Sequence, residues 1–353
     1  MFPDPTANLP AGVTVSCNSD VSLEDFCAMT VLTTPPLREF TNGEFFKKWE
    51  GVVTTPKEAF AMIDKIIEFS SPERTLVWRG VVDATHSLHS SLYRRLSAEL
   101  GRWPKEKDMV AFERNLLRES RTSWRFDDLN ALETFAQIQH FGGPTRLLDV
   151  TFNPLIALWF AVEKQYELNG DLREDIDGRL FAFDASSRQM SLNRNWDTRE
   201  IPWGNSLDRR WGSPDLPWSK QTPIRKSWTQ ELPYIWRPPN LNERIAAQNS
   251  ASLVGGVPTV DNGGNRRWRK GPGNAGAAGY WNKSQIQESS SVVLQMNSLL
   301  RKPSKSATPT FTLRISANAK EKIRDILENN YGYNSSTLYP DLLGLATHGA
   351  NRI

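Results

Sequence analysis

Hydrophobic and polar positions fall into blocks along the chain, and the period changes from block to block. Thr55-Pro56-Lys57-Glu58 places threonine at an N-cap, proline at the first helical position and glutamate at N3. Ala59, Met62, Ile63, Ile66 and Ile67 then share one helical face, and Ser70-Ser71-Pro72 stops the helix. Thr75 to Asp83 reads as a strand rich in β-branched and aromatic residues, with Val77, Arg79 and Val81 on one face. An amphipathic helix is predicted over 104–126 and another from about Asp128 to His140, closed by Gly142-Gly143-Pro144. Thr145 to Thr151 is a short strand. Asn153 then caps, and Pro154 opens, a helix that is apolar on all sides from Leu155 to Val162 and is expected to be buried. Residues 178–184 and Thr310 to Ile315 add strands, and a helix capped by Asn318 runs to about Asn329. Residues 1–50 show no sustained period and read as an irregular lead-in to a domain over 51–353.

Composition narrows the classes. The 353 residues include no apolar run long enough to span a bilayer, so no membrane association is expected. Two cysteines and four scattered histidines leave neither a disulfide framework nor a zinc cluster, and no metal is expected. The start, Met1-Phe2-Pro3-Asp4-Pro5, lacks a basic n-region and apolar core, so a cytoplasmic protein is expected. The net charge of +3 is too small to indicate a partner, but its distribution is uneven. Eight of the 13 tryptophans lie between about residues 185 and 283, where basic residues outnumber acidic ones and Pro and Gly are frequent. That stretch reads as a long, loop-rich insertion. Its run Arg266-Arg267-Trp268-Arg269-Lys270 combines cations with a ring, a combination that neutralises phosphates and stacks on bases. The same run also fits a solvated loop, and its tryptophans also fit core packing.

Several polar residues stand in apolar settings. Arg79 either snorkels to water or needs a buried partner, and Gly80 beside it admits a close backbone approach. Arg146 and Asp149 also need partners, each other among the options. Thr151 precedes a helix N-terminus, where backbone N–H groups favour anions. His140 sits at a helix C-terminus, where it satisfies carbonyls or acts as a catalyst. Arg79, His140, Arg146, Asp149 and Thr151 are predicted to converge on one cleft, because embedded polar groups need one another or a ligand.

These residues carry a resemblance. Trp78-Arg79-Gly80 resembles the aromatic-Arg-Gly motif that names the FRG domain, and Gln139 to Asp149 is similar to that family's long central motif. Asn153-Pro154 and Ala157-Leu158-Trp159-Phe160-Ala161 continue it, and Arg244-Ile245 with Gln248 and the segment 337–346 resemble later motifs. The Arg-Gly strand, followed by a Ser/Thr strand running into a helix, also resembles ADP-ribosyltransferases. That resemblance implies an α/β (α+β) fold with a split mixed β-sheet core, and NAD as a substrate. Arg79 and Gly80 would hold its phosphate or ribose, Thr151 would shape the nicotinamide-ribose pocket and Phe160 would cradle the ring. His140, Arg146 and Asp149 would complete the pocket. The catalytic group falls on Gln248 or Glu243, with Glu288 a further carboxylate. The acceptor would be a macromolecule, RNA among the candidates, in a toxin or antiviral role that brings an antitoxin or inhibitory partner protein. The alternatives are a nucleic-acid- or protein-binding module without catalysis and a nucleotide-processing hydrolase. A carboxylate beside Arg79 and Thr151 favours an enzyme; a continuous basic-aromatic groove without one favours a binder.

Overall fold

The computed structural model describes residues 43–70, 74–126, 129–167, 171–186, 188–190, 232–239, 243–258, 279–299 and 310–349, together with Trp268 and residues 270–272. Its helices are α1 Gly43–Lys47, α2 Pro56–Phe69, α3 Ser91–Leu100, α4 Glu106–Thr122, α5 Ala131–His140, α6 Pro154–Val162, α7 Glu243–Ala247, α8 Lys283–Ser289, α9 Ala317–Tyr331 and α10 Ser335–Leu338. Its strands are β1 Gly51–Val53, β2 Leu76–Val81, β3 Leu148–Thr151, β4 Gly178–Asp184, β5 Gln189–Met190, β6 Tyr234–Trp236, β7 Ser250–Val254 and β8 Thr310–Ile315. Among the described residues no helix is long and apolar enough to cross a membrane.

Local chemistry sets several of these boundaries. The Thr55 side chain accepts from the Glu58 N–H at 3.3 Å, while Glu58 reaches back to the Thr54 N–H at 2.8 Å, and Pro56 fills a position that needs no donor. Asn130 and Glu133 form a reciprocal box that starts α5. Asn153 caps α6 by accepting from the N–H groups of Leu155 and Ile156.

The strands join one mixed sheet in the order β1-β8-β4-β2-β3-β7-β6-β5. The outermost pairs on either side are parallel, and the inner pairs are antiparallel. The expected mixed α/β class is what the structure has. Its sheet is one hydrogen-bonded unit, but it forks in the middle. β2 is paired with β4 along its whole length, from Leu76 opposite Asp184 to Val81 opposite Arg179. β3 is likewise paired throughout with β7. Between β2 and β3 the ladder is reduced to Trp78 opposite Thr151.

Both faces of the sheet are covered. On one, Ile63 and Ile66 of α2, Ile156 and Leu158 of α6 and Ile323 of α9 pack on Trp78, Leu180 and Leu313. On the other, Phe45 and Phe46 of α1, Ile286 of α8 and Val292 pack on Val77, Phe181 and Leu253. The most intimate contact is backbone on backbone. A Cβ on Gly80 would lie 1.8 Å from the carbonyl oxygen of Ala157, and one on Gly178 would lie 2.2 Å from that of Ala161. Two glycines on neighbouring strands thus let α6 rest directly on the sheet.

The structure sharpens the expected boundaries. The stretch up to residue 50 is not wholly irregular: Phe45, Phe46 and Trp49 are core residues. Within the segment expected to be loop-rich, β6 and β7 lie inside the sheet and Trp236 is buried. Helix α9 begins after Ser316, so Asn318 lies within its first turn.

Arg146 was expected in the cleft with Asp149. Instead it is buried against α4, donating to Glu106 at 2.8 Å, to Glu113 at 2.6 Å and to the Gly255 carbonyl at 3.3 Å. The other oxygen of Glu106 accepts from the Val257 N–H. Burial alone would lower the Arg146 pKa, but the two carboxylates more than offset it and raise it. The cluster clamps α4 to the entry of β3 and the exit of β7.

Gly80→Ala should destabilise the fold by at least the roughly 1–3 kcal/mol typical of overpacking, read as a lowered urea midpoint, because the clash is with backbone and not with a side chain that can swing away. Glu113→Ala should cost roughly 1–3 kcal/mol in the same measurement, because it leaves two buried guanidinium N–H donors without an acceptor while Glu106 still balances the charge.

Candidate functional site

Where β2 and β3 part, a cleft of about 290 Å³ opens. Its floor is Trp78, Arg79 and Gly80 from β2 and Asp149, Val150 and Thr151 from β3. Gln139 and His140, at the end of α5, form one wall. Arg244 and Gln248 around α7, Phe160 of α6 and Tyr339 after α10 form the others.

Arg79 holds the fork. Its Nη1 donates to the backbone carbonyl of Asp149 at 2.6 Å, taking up an acceptor that the separating strands leave unpaired. Its Nε is buried without a partner, and no partner occupies its other terminal nitrogen among the described residues. Burial pushes the guanidinium pKa down, and Asp149 opposes the shift.

Asp149 reaches solvent through the cleft while protein encloses it from behind. A relay fixes it: the Thr145 hydroxyl donates to the Gln139 carbonyl oxygen, which turns the Gln139 amide nitrogen onto Asp149 Oδ1. Enclosure raises the Asp149 pKa, while Arg79 and the Gln139 hydrogen bond favour the ionised form. Arg79 and Asp149 therefore set a guanidinium and a carboxylate side by side.

His140 faces Asp341, with Nε2 3.7 Å from Oδ2, and the same oxygen lies 3.2 Å from Arg244 Nε. Burial and the Arg244 charge lower the His140 pKa, with Asp341 opposing. Arg244 lies over the Tyr339 ring at 4.7 Å. The Tyr339 hydroxyl donates to Glu163 at 3.2 Å, and its ring stacks on His348 at 4.0 Å. Phe160 packs edge-on against Tyr339, which gives the cleft an aromatic wall.

Of the residues expected to converge, Arg79, His140, Asp149 and Thr151 line the cleft and Arg146 does not; Gly80 and Phe160, given pocket roles by the resemblance, line it too. Thr151 also departs from its expected anion-binding setting. Its hydroxyl accepts from the Asn153 N–H at 3.0 Å while Asn153 takes the first free N–H groups of α6, so that helix end is closed to an anion. Gln248 lines the cleft, but its amide nitrogen donates to the Leu338 carbonyl at 2.8 Å, fixing the segment that carries Tyr339. Glu243 is exposed on α7 and Glu288 lies on α8, and neither lines the cleft. The carboxylate beside Arg79 is Asp149.

Trp268 is corrected too. It is buried beside Phe45, with Trp281 in the same cluster, so its ring is not available to a base. Lys270 lies over the Trp281 ring, and Arg266, Arg267 and Arg269 fall outside the described residues.

Residue patterning missed Gln139, Asp341, Tyr339 and Glu163 as participants. Gln139 and Tyr339 stood inside family-like segments without a role. Glu163, one turn beyond Trp159 at the end of an apolar helix, carried a signal: a carboxyl there must be buried or paired. Burial raises its pKa from 4.5 to about 7, opposed by Tyr339 and by the Arg244 and Arg324 charges. The folded state therefore holds this proton more tightly than the unfolded chain does. The stability tied to the protonated form is complete below pH 4.5 and is lost as the pH rises to about 7, on the order of 3 kcal/mol in all. Glu163→Gln should flatten that part of the stability profile, measured as urea midpoints from pH 4 to 8.

No curated protein and no solved structure matches the sequence. A family model does match, over β2, the helices α3 to α5, β3 and α6, and this is the part that supplies the Arg79 fork, the Gln139 relay and the contact of Gly80 with α6. Residues 74–169 match the FRG domain model.

Proposed function

We propose that the cleft binds NAD and that the protein transfers ADP-ribose from it to a macromolecular acceptor. The observation that carries this reading is the pairing of Arg79 and Asp149 at the fork, beside the aromatic wall of Phe160 and Tyr339. A guanidinium with one terminal nitrogen left for a ligand suits a diphosphate or ribose. An aromatic wall suits the nicotinamide ring. A carboxylate held from behind suits the positive charge that develops on the ribose as the glycosidic bond breaks.

In that reaction the bond between ribose C1 and the nicotinamide nitrogen breaks, and its electron pair leaves with nicotinamide. The acceptor's nucleophile bonds to C1 and gives up its proton. Asp149, rather than Gln248 or Glu243, supports the oxocarbenium-like state. Gln139 keeps one Asp149 oxygen engaged and orients the other. Nucleic acid is the acceptor class we favour, because the chain between residues 185 and 283 has an excess of basic residues.

Incubating the purified protein with NAD labelled in the adenylate, together with cell extract, tests the reading. Label is expected in a macromolecular fraction, and nuclease or protease sensitivity identifies the acceptor. Absence of both transfer and NAD cleavage would overturn the reading in favour of a binding module. Asp149→Asn should lower the rate of NAD cleavage at least tenfold with NAD affinity little changed. Arg79→Lys should weaken NAD binding itself, because an ammonium does not reproduce the fork.

A further inference from the structure

Two guanidinium groups line the cleft, Arg79 from its floor and Arg244 from its wall. Arg79 is tied to the Asp149 carbonyl, but Arg244 has no such commitment. Its Nε lies 3.2 Å from Asp341 Oδ2, yet neither atom completes a hydrogen bond. The other oxygen of Asp341 accepts from the Gly344 N–H at 2.6 Å. The two terminal nitrogens of Arg244 have no hydrogen-bond partner among the described residues, and unlike Nε they are not enclosed by protein. An arginine built to hold Asp341 would grip it with two parallel bonds. This one meets the carboxylate only as a charge and keeps its terminal donors for something else.

The group is nonetheless held in place. Its guanidinium carbon stands 4.7 Å from the centre of the Tyr339 ring, over the ring face. Gln248, whose N–H donates to the Arg244 carbonyl at 3.0 Å, is fastened through its side chain to the Leu338 carbonyl. The cation and the ring beneath it are thus carried by segments that are bonded together. The Arg244 charge also reaches the cleft floor, where it favours the ionised form of Asp149 as Arg79 does. It opposes protonation of His140 as well, which leaves that ring uncharged at neutral pH. Among the described residues the cleft lining therefore carries two permanent positive charges against one carboxylate, and Gln139 already engages that carboxylate.

We propose that Arg244 is a phosphate anchor, binding the phosphate of a nucleotide whose ribose lies over Arg79 and Asp149. The identity of the nucleotide rests on the NAD reading above; the affinity of Arg244 for a phosphate does not. Two terminal nitrogens facing the solvent match two phosphate oxygens. Stacking on Tyr339 fixes the plane of the guanidinium before a ligand arrives, so little freedom is lost on binding. The side chain is 19% exposed, which shelters its charge from solvent screening without closing the approach.

Calorimetric titration of the full chain tests the anchor with four ligands: NAD, inorganic pyrophosphate, and nicotinamide mononucleotide and nicotinamide riboside, which differ by one phosphate. Arg244→Gln should weaken mononucleotide and pyrophosphate binding at least about tenfold, the worth of a charge-assisted hydrogen bond, while riboside binding stays within about twofold. Arg244→Lys keeps the charge but not the fork and should fall between the parent and Arg244→Gln. Should Arg244→Gln fail to fold, Arg244→Lys carries the same comparison, and unfolding midpoints of the same preparations report this. Equal weakening of mononucleotide and riboside, or no weakening of either, would overturn the anchor while leaving the NAD reading in place. Pyrophosphate binding that needs Arg244, without binding of NAD, would keep the anchor and overturn the NAD reading. Failure of the unaltered protein to bind either pyrophosphate or mononucleotide would overturn the anchor.

Discussion

A sheet that separates must do something with the backbone groups it uncouples, and here a side chain takes them up. At the fork the Asp149 carbonyl faces β2 without a strand partner, and the Arg79 guanidinium supplies the donor. The cleft exists because this substitution of side chain for backbone is possible. Close the ladder and the cavity disappears; remove the guanidinium and a carbonyl is left unpaired at the base of a cleft. The position that opens the site and the position that gives it charge are one residue.

The rest of the site is arranged to make that fork rigid. On one side, α6 bears on the sheet through Gly80 and Gly178, so β2 and β4 are held at backbone distance from a helix that is buried all round. On the other, the Arg146 cluster pins β3 and β7 to α4. The Arg146 cluster stands outside the cleft and the glycine seat of α6 meets it only at Gly80 and Phe160, yet each fixes one side of the fork. The apolar run of α6, the glycines and the buried carboxylates of α4 are therefore parts of one construction, in which packing determines where a small number of polar atoms meet.

How much of this could be read from the residues depended on distance along the chain. Thr55 and Glu58 announced α2, and Asn153 with Pro154 announced α6, because capping is a matter of neighbours. The cleft's floor was legible for a similar reason: Arg79, Asp149 and His140 each look out of place in their own segments. Arg146 looked equally out of place, but its partners were Glu106 and Glu113. Their seven-residue spacing puts them on one face of α4 with Met109, Val110 and Leu117, a face on which two carboxylates call for a cation. Tyr339 and Asp341 could not be placed by pattern, since they lie in turns without periodicity and reach the cleft through the contacts of Gln248 and Arg244. Trp268 shows the opposite error: a local basic run suggested a surface, whereas the indole helps fill the core beneath the sheet.

The strand pairing also separates the unit defined by sequence similarity from the unit that can exist by itself. The matched segment contains β2 and β3, but the strand paired along all of β2 is β4 and the strand paired along all of β3 is β7, both beyond residue 169. Excised, the segment would carry two unsatisfied edges joined by one point of pairing, an invitation to recruit strands from other chains. A recombination point drawn at the ends of the recognisable motif would therefore move the charge centre of the site into a new protein without the strands that keep it folded. As an exchangeable module, this site is the whole sheet.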